Sequence, residues 1–509
     1  MRKGIYLSLT LAVIIVTASS NLAAEVLGPF SISTEEGGLR ISRQHLLAED
    51  FDVMTIEGCD FTRQWGEPML PVKSTSVYVP RGMAVRGVRV IETGSRELRG
   101  AFRLLPVQEE LPLSFVGPAR PIPPDREVYA MDTPYPESCV KIVTSGSIGG
   151  RKIVALQVFP IQYTPSDGAV TLNENIVFEI EIGPAGQEPV VPLETPNVRN
   201  LRNSMVRDLV ENPGDLLADF PDGSGTLDPS VATEYLILCH ENHADAYEML
   251  REWKTRKGVP ADIYTTQDAI ANYPGRDDPE RLRNCIMDYY QNESTAWVLM
   301  TMTAPKAKIR GCHGQVGGSI DNEIPCDLYF ADMDGDWDQD DDGIWGERYD
   351  DADLYPDVYV GRSTGNTAVK CSLLVNKTFT YEGFYGLPTD YQLDVLFMAE
   401  YADEYTNMGV CKNIVDNESM PARFDPILKL YQATGTLTHE AVMDAMNAGQ
   451  GLINHAGHGN IGFLSIGDGG SLTKDDVQGL TNAPRYSVFY TLACLPAAFD
   501  TPTGCFAKS

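Results

Sequence analysis

The chain has 509 residues, 71 acidic against 40 basic, and a formal net charge of −31. At about 150 residues per domain this length suggests roughly three units, and an apolar content of 43% excludes wholesale disorder. So acidic a surface repels phosphate and excludes generic nucleic-acid binding; solubility, halophily, repulsion of acidic partners and cation binding stay open.

Arg2 and Lys3 precede an apolar run from Ile5 to Val16, and small residues follow as far as Ala24. A basic start, a short apolar core and small residues near a cut site mark a secretory signal peptide over 1–24. The run is short for a membrane span, no cysteine follows it for lipid attachment, and no later stretch reaches spanning length. The expectation is a Sec-exported protein, secreted or at the cell surface, with no stable membrane span. None of its ten cysteines forms a C-x-x-C pair, which argues against zinc-finger and thioredoxin chemistry. In an oxidising compartment Cys312 and Cys326 are a candidate disulfide. Most of the others lie in apolar contexts that suit buried thiols.

Residues 25 to about 185 read as β-rich. Strands are expected at 153–163, 170–172 and 176–182; in the last, Ile176, Phe178, Ile180 and Ile182 alternate with Val177, Glu179 and Glu181, the period of a half-buried strand. A sandwich-like domain over 25–225 is expected, ending in a polar, exposed, easily cut linker over 211–231. Beyond it strands at 235–239, 297–300, 358–360, 395–399, 427–430, 451–455 and 488–493 alternate with helices at 244–257, 278–290 (capped by Asp278), 368–381 and 438–448. Residues 232–509 are therefore expected to be α/β, a mainly parallel sheet flanked by helices. Ligands in such folds bind beyond the carboxyl ends of the strands.

Two strand ends carry candidate chemistry. His458 lies between Gly457 and Gly459, where the backbone can approach a substrate closely. Cys494 closes an apolar strand. A nucleophilic thiol needs a nearby imidazole and backbone N–H donors for the oxyanion, for which Gly459 and Cys494 are candidates. On residue types alone, a buried cysteine and a loop histidine compete with this reading.

Gly457-His458-Gly459, followed one strand later by Ala493-Cys494, resembles the gingipain family of secreted cysteine peptidases, which have a caspase-like fold. Gly451-Leu452-Ile453-Asn454, Leu480-Thr481-Asn482, Cys505-Phe506-Ala507 and Glu252-Trp253-Lys254 extend the likeness. Val158-Phe159-Pro160-Ile161-Gln162-Tyr163 is similar to the family's N-terminal propeptide. The resemblance implies a zymogen acting on polypeptide substrates, with its own propeptide as inhibitor and no organic cofactor. His458 is then the general acid/base and Cys494 the nucleophile of an acyl-enzyme. Glu400, at the end of the strand over 395–399, would orient His458 by a hydrogen bond, the alternative being a solvated strand-end carboxylate. His455 is read as structural. Where arginine-specific relatives carry an aspartate for the basic side chain, this chain has Cys411, with only Asp403 and Glu404 near, so a basic preference lacks support. The family's domain also runs well past its cysteine, whereas this chain stops at Ser509, implying a piece of a longer product or an incomplete domain. The rival reading is a calcium-stabilised secreted binding or adhesion module with an inactive site.

Between 332 and 353 eleven residues are acidic and only Arg348 is basic. Asp338-x-Asp340-x-Asp342-Gly343 matches the first half of an EF-hand-type loop. Position twelve is Tyr349 instead of Glu, with Glu347 or Asp350 as substitutes. The expected calcium ligands are Asp332, Asp334, Asp336, Asp338, Asp340, Asp342 and Glu347, while Trp337, Ile344 and Trp345 suggest a packed loop. A comparable stretch in relatives of the gingipains implies a structural ion, and the locality of the cluster argues against a catalytic two-metal site. Cys239-His240 and His243 are read as strand-end and helix-start residues.

Overall fold

The computed structural model describes residues 25–33, 38–109, 120–186, 188–301, 309–316, 319–387, 389–402, 406–501 and 504–508. The signal-peptide reading of 1–24 and the side chains of Asp403 and Glu404 lie outside the described residues.

Alternation builds the first domain. Ala169–Pro184 is one long strand rather than two, shifted in register between Asn173 and Ile176, and it pairs antiparallel with Glu25–Ser33 and Met83–Glu97. A second antiparallel sheet runs in the order Asp60–Phe61, Pro71–Tyr78, Arg151–Val158, Val140–Ile148. Phe178 and Ile180 from the first sheet and Val77, Val154 and Leu156 from the second share one buried core. This is the expected sandwich.

The segment read as a linker is largely structured before residue 221. Pro213–Asp219 is a helix, and Leu216 and Phe220 are buried; only 221–231 is mostly exposed. A longer helix, Pro196–Arg207, precedes it, capped by the Thr195 side chain on the Val198 N–H. Its buried face carries Arg199, Arg202 and Asn203 beside Val198 and Val206, so no apolar period announces it. Those arginines converge with Arg151 on Glu194. Arg151 makes two bonds to its carboxylate, at 2.8 and 3.1 Å, Arg199 one at 2.9 Å and Arg202 one at 3.1 Å. Burial alone would raise Glu194, but the guanidiniums hold its carboxyl below the usual range. Arg202 also donates to the Thr295 carbonyl at 3.0 Å, which ties the network to the second domain.

The turn at Gly149 and Gly150 has positive φ at both glycines, and a Cβ on Gly149 would lie 2.5 Å from Arg202 Cδ. From this turn the Gly149 N–H donates to Asp357 Oδ1 at 2.7 Å and the Ser147 N–H to Asp353 Oδ2 at 2.6 Å, while the Ser147 hydroxyl bonds Asp334. Among the described residues, hydrogen bonds from the first domain to the second reach 234, 291–295 and 334–357, and none reaches His458 or Cys494.

The α/β architecture is present, divided into two four-stranded parallel sheets. One has the order Ala261–Thr265, Tyr235–Cys239, Trp297–Thr301, Tyr359–Ser363; the other Ile427–Tyr431, Val395–Ala399, Leu452–Ala456, Val488–Leu492. In the first sheet Ile237 and Leu299 face the helices Ala244–Arg256 and Ala368–Tyr381, and Leu236, Leu238 and Met300 face Asp278–Asn292. The cap of that last helix is Asp277, which accepts from the Glu280 N–H at 3.0 Å, one residue earlier than expected. Ala261–Thr265 went unanticipated because a short edge strand carrying Asp262 has no apolar run. No described helix is long and apolar enough to cross a membrane.

Glu194→Gln keeps the side-chain volume but leaves three buried guanidiniums without their anion. It should lower stability by roughly 3–5 kcal/mol, read as a drop in the urea midpoint, whereas removing the exposed Arg207–Asp222 pair should cost under ~1 kcal/mol.

Candidate active site

Parallel pairing brings the histidine and the cysteine together. Ala456 lies opposite Leu492, and His458 and Cys494 each fall two residues beyond that pair, on strands spaced ~4.8 Å apart. The Gly457 N–H donates to the Leu492 carbonyl at 3.1 Å. A Cβ on Gly459 would stand 2.8 Å from the Ala493 Cβ and 3.4 Å from Pro496 Cδ, so the two loops touch. The Cys494 thiol is exposed and His458 is half-buried. Among the described residues no hydrogen bond joins the imidazole to the thiol.

Glu400 follows the strand on the other side, where Ala399 pairs with Ala456. It is 2% exposed, so it is not the solvated carboxylate of the alternative reading. Its Oε1 accepts the backbone N–H of His458, and its Oε2 accepts the Ser465 hydroxyl at 2.7 Å and the Gly467 N–H at 2.8 Å. These bonds reach the main chain of His458, where the resemblance implied the imidazole. A Cβ on Gly457 would overlap the Glu400 carboxyl, so the glycine leaves room for the carboxyl beneath the loop. Ser465 and Gly467 belong to this site and were not foreseen, since no local pattern links them to a strand end sixty-odd residues earlier.

His455 is fully buried. Its Nε2 lies 3.0 Å from the Ser465 carbonyl and its Nδ1 2.9 Å from Thr491 Oγ1. A carbonyl only accepts, so Nε2 carries the proton and Nδ1 accepts from the threonine hydroxyl. Burial pushes its pKa down to about 4. Its place is structural. Below it Lys412 is buried, donates to Asn454 Oδ1 at 2.5 Å, and has its pKa lowered by burial. A strut from the first sheet also reaches this region: Arg362 is paired with Asp327 at 2.8 and 2.9 Å and stacks 5.2 Å over Phe499, in the loop after Cys494.

In the acidic insert the carboxylates form two groups, Asp332 with Asp334 and Asp357, and Asp338 with Asp340 and Asp342. Oxygens within each group lie within 4.8 Å of one another. Asp336 and Glu347 stand outside both, and Asp357 was not anticipated. The Asp336 N–H donates to the Asp351 carbonyl at 2.9 Å, and the Glu347 N–H to Asp350 Oδ2 at 3.0 Å. Asp338 Oδ1 accepts the Gly343 N–H at 3.0 Å, with Gly343 at φ +84°, as an EF-hand-type turn requires. Its Oδ2 accepts Arg276 Nη1 at 2.5 Å. Tyr349 is 77% exposed and closes nothing. The loop is packed, as its tryptophans suggested: Trp337 is buried with its indole N–H 2.6 Å from Asp332 Oδ2, and Arg310 stacks 3.4 Å over Trp345.

Helix-flanked parallel sheets, with a histidine loop and a cysteine loop ending adjacent strands, define the class as a caspase-like peptidase fold. Peptidase family C25 matches residues 228–509, and the chain belongs to that family. It is 22% identical over 482 residues to Lys-gingipain of Porphyromonas gingivalis, covering 90% of this chain and 25% of that relative; the chain thus spans about a quarter of the length of the curated relatives it matches. Among solved structures, one that gives insight into the zymogenic latency of gingipain K from Porphyromonas gingivalis is similar at 23% identity over 30% of this chain and 86% of that one, with a TM-score of 0.27. The Arg-specific cysteine proteinase gingipain R is similar at 17% identity over 54% and 58% of the two chains, with a TM-score of 0.40.

The folded His455 pKa lies below its unfolded value of about 6.5, so the unfolded chain binds more protons between pH 4 and 6.5. Its contribution is complete above pH 6.5 and is lost as pH falls towards 4, amounting to about 3 kcal/mol in all. Urea unfolding across that window should show this slope, and His455→Gln should flatten it.

Proposed function

We propose that this chain is a secreted cysteine endopeptidase made as a zymogen. The observation that carries the reading is the equivalent placement of His458 and Cys494, each two residues past the Ala456–Leu492 pair, within a C25 domain. The Cys494 sulfur attacks the peptide carbonyl, and the oxyanion accepts the N–H groups of Gly459 and Cys494. His458 protonates the leaving amine, and water then hydrolyses the thioester. Glu400 is a positioning residue: it fixes the main chain at His458 and leaves the imidazole free to turn between thiol and leaving group. The first domain acts as the inhibitory propeptide, and cutting within the exposed 221–231 releases it.

The second carboxylate group suits a structural calcium ion. Its donors are all hard oxygens folded around a glycine turn. In the first group Asp332 already accepts from the N–H groups of Asp334, Gly335 and Asp353 and from the Trp337 indole, while Asp357 accepts from Gly149, Tyr290 and Met333. Protein donors thus already bind much of that group. Asp338, Asp340 and Asp342 would hold the ion and offset their mutual repulsion, in competition with Arg276.

After cleavage within 221–231, a peptidyl chloromethyl ketone should label Cys494, fail on Cys494→Ala, and label His458→Ala at least ~100-fold more slowly. A folded, cleaved protein that takes no label would instead favour the binding or adhesion module. EGTA should lower the melting temperature; an unchanged value would mean that Arg276 and backbone donors neutralise the loop without an ion.

A further inference from the structure

The antiparallel hairpin Gly311–Val316 with Ser319–Pro325 stands immediately before the acidic insert. Gly311 pairs with Pro325 and Cys312 with Ile324. The Cys326 N–H donates to the Arg310 carbonyl at 3.0 Å, which carries the ladder one step past the named strands. Cys312 and Cys326 therefore lie on one face of the hairpin base, as diagonal neighbours across the ladder. A register shift begins directly after Cys312, and the two thiols are close enough to shift each other's titration in opposite directions. Both belong to one apolar cluster with Tyr329, Trp337 and Trp345.

We propose that Cys312 and Cys326 form a disulfide that closes the base of this hairpin, against which the acidic insert packs. The insert already hangs on the hairpin, because the His313 N–H donates to the Trp345 carbonyl at 2.8 Å. The cross-link therefore braces the support of the segment that holds Asp338, Asp340 and Asp342. It is independent of whether the chain cleaves peptides.

The two sulfurs are unequal in a way that orders the chemistry. Cys326 is partly exposed, and its pKa is brought down to about 7 by the hydrogen bond from Cys312, with the Tyr329 and Leu328 N–H groups adding to the effect. Cys312 is buried, and its pKa is pushed up by that same bond and by burial. The Cys326 thiolate attacks one sulfur of a disulfide carrier such as oxidised glutathione, forming a mixed disulfide and releasing one carrier thiol. The Cys312 thiol gives up its proton and attacks Cys326 Sγ, which releases the second carrier thiol. Two protein thiols are oxidised and one carrier disulfide is reduced to two thiols. Cys239 and Cys371 also share a core, but Cys371 donates its thiol to the Gly365 carbonyl at 3.7 Å and both are fully buried. They remain thiols.

The full chain, purified and equilibrated in oxidised glutathione, should be denatured without reductant, alkylated and mapped. The expected result is alkylation at Cys239 and Cys371 together with a peptide pair joined through Cys312 and Cys326, two hydrogens lighter than the free peptides. Dithiothreitol should lower the melting temperature of this protein by ~5–10 °C and leave Cys312→Ser/Cys326→Ser unmoved. Alkylation of both Cys312 and Cys326 after oxidation, or linkage of either to another cysteine, would overturn the proposal. The peptide map is made on the unaltered protein, so it decides the matter even if the double variant does not fold.

Discussion

Beneath the histidine loop, the carboxyl of Glu400 gathers the His458 N–H, the Ser465 hydroxyl and the Gly467 N–H into one buried cluster. Hydrogen bonds to a buried carboxyl are worth more than neutral ones, and here they fix three points of a loop that the strand itself no longer supports. Gly457 is the condition for this, since any side chain there would occupy the space of the carboxyl. Ser465 returns the constraint by donating its own N–H to the His458 carbonyl at 2.9 Å. Among the described residues hydrogen bonds hold the main chain of His458 and none holds its ring, which suits a group that must move a proton between two partners.

A second buried carboxylate plays the corresponding part between the domains. Glu194 collects three guanidiniums, one from the β-sandwich and two from the helix that follows it. Arg202 extends from this cluster to Thr295, and Thr195 and Asn197 bond Glu234. An exposed linker alone would leave the domains free to separate, whereas parting them here breaks the bonds of Arg202 to the Thr295 and Asp357 carbonyls and those of Thr195 and Asn197 to Glu234. Among the described residues the inter-domain hydrogen bonds reach the first sheet's surroundings and the acidic insert and not His458 or Cys494. The large negative charge of the chain is distributed in the same spirit. Arg276, Arg283 and Arg310 come from outside the insert to meet Asp338, the carbonyls of Asp332 and Gly335, and the ring of Trp345.

Much of the fold was legible because its signals are local. Val395–Ala399 and Tyr235–Cys239 are short apolar runs buried on both faces, and Ala368–Tyr381 is bounded by its capping Thr367. The helix Pro196–Arg207 was not legible, because its buried face is polar and its arginines are satisfied by partners outside the helix, Glu194 first among them. The division into two sheets was equally hidden, because strand order depends on which apolar edges meet and not on the pattern within a strand.

From its residues alone, the chain determined that a histidine flanked by glycines and a cysteine after an apolar strand would stand at strand ends, because strand formation and its termination are written in neighbouring residues. It also determined that the acidic insert would pack, through Trp337 and Trp345. Only the tertiary structure decided that Glu400 binds the main chain of His458, that His455 is sealed between Thr491 and Ser465, and that Asp357 joins Asp332 and Asp334 while Asp336 and Glu347 do not. Each of these contacts is set by the register between segments far apart in sequence, and register follows from the packing of whole sheets and loops.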